Sequence, residues 1–137
     1  MKEALSLYTD KALVITTATH PHLIVHVNKA WESLCGYKKQ DVLHQPIGQL
    51  LQGPKTNASV TKSMTQQVLS SHMASAPESI DAYLVNYKAS GDSFVNHITA
   101  GPLYIEEEDN QAHTKPQFLV GILEEVSRED VPLRLAV

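Results

Sequence analysis

A chain of 137 residues with 42% hydrophobic content has the size of one compact domain, and its apolar side chains suffice for a single core without metals or cross-links. Eleven basic against fifteen acidic residues, a net charge of -4, argue against a surface built as a whole to neutralise phosphates or anionic lipid. Cys35 is the one cysteine, which excludes an intrachain disulfide.

A lone cysteine fits a reducing compartment. No apolar run approaches the ~18 to 20 residues of a membrane span, and the first residues, MKEALSLYTDKA, lack the basic-then-apolar layout of a signal peptide. The expectation is an intracellular module, cytoplasmic or nuclear, without a membrane span and without direct nucleic-acid contact, although a local basic patch stays open.

Met1 to Asp10 allow a short helix leading into Ala12 to Thr17, whose β-branched residues predict a first strand. His20-Pro21-His22 makes a turn, and Leu23 to Val27 is a second strand that closes a hairpin. Asn28 then stands where a helix N-cap belongs. Ala30, Trp31, Leu34 and Cys35 follow with helical spacing until Gly36 stops the helix. Gln40 to His44 reads as one more helical turn, closed by Pro46, and Gly53-Pro54 is a further break.

From Asn57 to about His72, Val60, Met64, Val68 and Leu69 mark one apolar side of a longer helix that lies against a core. Ala74 to Ser79 is a small-residue loop. Ile80 to Tyr87 and Ser93 to Leu103 form a hairpin across the turn Lys88 to Asp92, Glu106 to Lys115 is a charged connection, and Phe118 to Leu123 is the last strand. Strands at both ends of a helical middle predict an α+β domain with helices on one face of an antiparallel sheet.

Val27-Asn-Lys-Ala-Trp-Glu-Ser-Leu-Cys-Gly-Tyr37, Leu50-Leu-Gln-Gly-Pro54, Val85-Asn-Tyr-Lys-Ala-Ser-Gly91 and Phe94-Val-Asn96 together resemble PAS domains of the light-oxygen-voltage (LOV) subgroup, over roughly Leu13 to Val126. The resemblance implies a PAS fold: a five-stranded antiparallel sheet of order 2-1-5-4-3, with short helices and one longer helix enclosing a pocket over one face. Residues 1–11 are then an N-terminal flanking segment, 12–127 the domain, and 128–137 a C-terminal tail or linker.

In LOV domains the pocket holds flavin, and a cysteine in the motif Asn-Cys-Arg-Phe-Leu-Gln bonds to the ring. Aligned through Leu50-Leu51-Gln52, the cysteine position here is Gly48, which has no side chain to offer, and the phosphate-pairing arginine position is Gln49. No arginine follows within 57–72, where Lys62 supplies only a point charge. The flavin-reporting glutamine of the last strand aligns with Leu123. Cys35 sits on the preceding helix, where a packing role is expected.

What remains are Gln52, Asn86 and Asn96, which match the flavin-contacting amides of the family. Bottom-up, Asn86 and Asn96 flank the Ser90-Gly91 turn at similar distances, so the hairpin brings them close, and each buried amide needs partners. Two readings are open: the amides bind flavin (FMN) or another small molecule, or they satisfy each other, the backbone or buried water, or simply face solvent. Leu50 and Leu123 predict a more apolar cavity, one that apolar side chains could fill, so no cofactor is the leading expectation.

The seven histidines are scattered, and neither zinc-site spacing nor a nucleophile motif is present, so neither a metal site nor enzyme activity is expected. The leading expectation is a PAS-type signalling and regulatory module that acts through protein contacts on a partner or output domain, and homodimerises, without cysteine-flavin photochemistry. The alternatives are a ligand-sensing PAS domain that binds flavin or another small molecule non-covalently, and a cap domain of a channel or kinase.

Overall fold

The computed structural model describes residues 9–70, 79–104 and 117–132. The expected N-terminal helix, the loop before the third strand and the charged connection lie wholly or mainly outside them. Five strands, β1 (Ala12–Thr17), β2 (Ile24–Val27), β3 (Ile80–Tyr87), β4 (Ser93–Leu103) and β5 (Phe118–Val126), form one antiparallel sheet of order β2-β1-β5-β4-β3. Between β2 and β3 run α1 (Lys29–Cys35), α2 (Lys39–Val42), α3 (Ile47–Leu51) and α4 (Ala58–Ser70).

Asn28 joins the first hairpin to the helices. Its Oδ1 accepts from Trp31 N, capping α1, and also from Leu13 N, both at 2.9 Å, while its Nδ2 donates to Lys11 O at 2.8 Å. Gly36 ends α1 in the left-handed conformation, φ +85°, where a side chain would be strained and a Cβ would stand 3.3 Å from that of Ala89. With its end tethered to the β3–β4 turn by Ala89 N donating to Cys35 O at 2.8 Å, α1 buries Trp31 and Cys35 against Val14, Ile24, Val27, Val42, Leu51 and Leu123.

The helix α3 was not anticipated. Pro46 closes the preceding segment, and it also takes the N-cap position of a new helix, because its fixed φ of -64° needs no N–H there. His44 makes the bend between α2 and α3 with φ +67°. Five residues give too short a window for a helical period to show. The second strand is shorter than expected, Leu23 making only an isolated bridge to Pro46, whereas β5 runs three residues further, to Val126.

Candidate functional site

Cross-strand register decides which side chains share a face of the sheet. Gly121 is paired with both Val14 and Ala100, and Ile98 with Leu123, so these residues point toward the helices. Above them, α3, α4 and the β1–β2 turn wall a cleft of about 770 Å³, within the usual range for small-molecule sites. Small residues keep its floor low: Ala18, Ala100 and Gly121 line it, and a Cβ on Gly121 would press on Ile98 Cδ1 at 3.3 Å.

Gln52 and Asn86 both line the cleft. Gln52 caps the end of α3, its N–H donating to Gly48 O at 3.0 Å, and its side chain is exposed on the cleft. Asn86 is 3% exposed and Asn96 0%, with Asn96 outside the cleft lining. The two amides are joined: Asn96 Nδ2 donates to Asn86 Oδ1 at 2.9 Å, Asn86 Nδ2 donates to Leu51 O at 3.1 Å and Val85 O at 3.2 Å, and Asn96 Oδ1 accepts from Glu124 N at 3.3 Å. A continuous polar chain thus crosses from α3 through β3 and β4 to β5.

Gly48 lies on the cleft wall contributed by α3, and a Cβ there would meet only the Gln52 amide, at 3.5 to 3.7 Å. Cys35 is fully buried in the core cluster and does not line the cleft. Burial pushes its thiol up to about 12, only partly offset by Lys88. The apolar filling expected from Leu50 and Leu123 is not found. Both pack on the core cluster that contains Trp31 and do not line the cleft.

Sequence reasoning missed the far rim. His20 and His22 line the cleft mouth with ring centroids 6.1 Å apart, and His22 Nδ1 is 3.0 Å from Thr17 O. A carbonyl only accepts, so that nitrogen carries the proton and Nε2 of the neutral ring is left as an acceptor. The turn is held to α3 by Ile47 N donating to His22 O at 3.2 Å. Lys62, from α4, lines the same cleft. Among the described residues no group of three or more histidine, cysteine or acidic side chains is placed to hold a metal, and no helix is long and apolar enough to cross a membrane.

The family model for the PAS domain matches residues 11–128. Among curated relatives, a blue-light-activated histidine kinase 2 of Erythrobacter litoralis is 28% identical over 81% of this chain, and a blue-light photoreceptor of Listeria monocytogenes is 26% identical over 93%. The chain spans 28% and 45% of those two proteins, less than half of either. Among solved structures, the E. litoralis EL346 blue-light-activated histidine kinase superposes with a TM-score of 0.69 at 25% identity, covering 89% of this chain and 35% of that one. A light-oxygen-voltage domain studied with a flavin analogue gives a TM-score of 0.69 at 21% identity, covering 88% and 80%, a likeness of fold. With the sheet order, the helical side and the ordered motifs in agreement, the chain belongs to the PAS domain family, as a LOV-like signalling domain.

Proposed function

We propose that this chain is a ligand-sensing PAS module that holds a flavin-class heterocycle non-covalently and passes its occupancy to a partner or output domain through protein contacts. The single observation that carries the reading is the cleft of about 770 Å³, floored by small residues and edged by the amides of Gln52 and Asn86. A planar ring laid on Gly121 and Ala100 meets apolar faces, with amide groups at its edge. Gln52 and Asn86 bond the ring or its chain directly, and Asn96 acts through Asn86. When bound, flavin would supply a light-absorbing and redox-active ring.

Gly48 on the cleft wall, and Cys35 buried away from it, support binding without a cysteinyl bond to the ligand. Because Asn86 already spends both amide hydrogens on Leu51 O and Val85 O, a ligand competes for bonds that lead through Asn96 to the backbone of β5. Occupancy is thereby felt at Glu124, near the end of the domain, 12–127, where the tail 128–137 begins. Residues 1–11 and 128–137 are the flanking segments through which a partner, an output domain or a second copy is engaged.

Absorbance and native mass spectrometry of protein purified without added ligand test this together. The expected result is a non-covalent flavin, or its uptake on addition, with no light-induced covalent bond to protein. A colourless preparation that fails to take up added flavin overturns the flavin reading.

A further inference from the structure

The β1–β2 turn brings together two imidazoles that a single proline separates in sequence. His20 and His22 have ring centroids 6.1 Å apart and ring planes inclined at 76°, and both line the cleft. The turn is fixed by hydrogen bonds on both sides: Thr17 N donates to Leu23 O and Leu23 N to Thr17 Oγ1, each at 2.9 Å, His22 N to Thr19 O at 2.8 Å and Ile47 N to His22 O at 3.2 Å. His22 sits in the left-handed region, φ +58°, a conformation unfavourable for a residue with a Cβ and held here by those bonds.

His22 is prepared as a ligand by its own hydrogen bond. Nδ1 donates to Thr17 O at 3.0 Å, which fixes the tautomer and leaves a lone pair on Nε2. Metal-bound histidines almost always show this arrangement, the second ring nitrogen donating to a carbonyl, a carboxylate or water. His20 is exposed, which leaves its ring room to turn toward a shared ion. With metal–nitrogen bonds of about 2.0 to 2.1 Å, two imidazoles on one tetrahedral ion have centroids about 5 Å apart, a closure of about 1 Å from the present pair. The donor set decides the class of metal. Among the described residues no aspartate or glutamate lines the cleft and Lys62 there is cationic, so magnesium and calcium find no carboxylate, whereas neutral nitrogen donors suit late first-row ions.

We infer that His20 and His22 form a two-imidazole site for a late first-row divalent metal ion, zinc among them, where the β1–β2 turn borders the cleft. Two protein nitrogens leave two positions of a tetrahedral ion for water or for a donor atom of whatever occupies the cleft, so the site is an open one. It does not depend on the flavin-class reading, in which neither histidine is assigned a contact with the ring.

The test titrates the untagged full chain with Zn²⁺, and with Mg²⁺ as control, by isothermal calorimetry, and follows the imidazole resonances by NMR with Ni²⁺ as a paramagnetic probe. Zn²⁺ is expected to bind and Mg²⁺ to give no heat, and substoichiometric Ni²⁺ should broaden His20 and His22 before the other five of the seven histidines. His20→Ala and His22→Asn, the latter keeping a residue type that tolerates positive φ, should each weaken zinc binding at least about tenfold with native circular dichroism. If either variant folds poorly, the broadening pattern of the unaltered protein still decides. Zinc affinity unchanged in both variants, broadening that begins at other histidines, or no zinc binding to the unaltered protein overturns the inference. Flavin uptake, measured separately, stands or falls without regard to any of these results.

Discussion

Asn96 Nδ2 donates to Asn86 Oδ1 at 2.9 Å although the two are not register partners, Asn86 lying opposite Phe94 and Asn96 opposite Leu84. They are diagonal neighbours on the inner face of the β3–β4 pair, and the bond is fully buried. Both amides are therefore part of the fold before they are part of any ligand site.

Removal of one amide strands the other. Asn96→Leu leaves Asn86 Oδ1 and Glu124 N without their partner, and a loss of about 1 to 3 kcal/mol is expected in urea denaturation. Adding Asn86→Leu should cost less than it does alone, since the stranded group is then gone. Strict additivity of the two losses would contradict a shared bond.

Gly53 is required by contact. A Cβ there would fall 2.4 to 2.9 Å from Tyr87 ring atoms, while Tyr87 OH accepts from Lys55 N at 3.0 Å and Thr56 Oγ1 donates to Val85 O at 2.6 Å. Gly53→Ala should destabilise the protein by roughly 1 to 3 kcal/mol, because the ring must move and give up that bond. In a Tyr87→Ala background the same change should cost little. Thermal denaturation of the four proteins checks this.

Cys35 should be inert to thiol reagents in the folded protein and react only on unfolding, because its sulfur is buried and its thiol is held up to about 12. The unfolded thiol ionises near 9.0. Above that pH the unfolded chain releases a proton that the folded chain keeps, so stability is complete below pH 9 and is lost as pH rises toward about 12. Cys35→Ala should flatten that alkaline slope. Gly48→Cys, in contrast, has room beside Gln52 and should fold and react rapidly with the same reagents.

His26 titrates below its ordinary range, first because it is partly buried and second because Lys39 Nζ stands 2.9 Å from its Nδ1. The folded state therefore resists the proton that the unfolded chain accepts below about 6.5, and stability falls as pH drops through that region. Lys39→Met should raise the His26 value while leaving it under 6.5, since burial is the larger cause. Histidine NMR titration reads this directly, and no movement would remove Lys39 from the account.

Several elements were legible because their causes are local. Asn28 and Gly36 bound α1 as expected of a cap and a left-handed stop, and β3 and β4 occupy the spans expected from a β-rich pair around a Gly-containing turn. Where the cause is non-local, the sequence was silent. The five residues of α3 show no period, and the charged Glu124 and Glu125 disguise the end of β5, which is a strand only because β4 pairs with it.

The candidate site divides in the same way. Residue types determined that Gly48 offers no sulfur, that Gln49 carries no arginine fork and Leu123 no amide, and that a hairpin brings Asn86 and Asn96 close. Only the tertiary structure decided that Leu50 and Leu123 turn to the Trp31 core, that a cleft stays open over Gly121, and that His20, His22 and Lys62 face it together. Composition and short-range spacing set what each side chain can do. Which side chains share a cavity depends on sheet register and on helices packed from distant parts of the chain, and no local pattern records that.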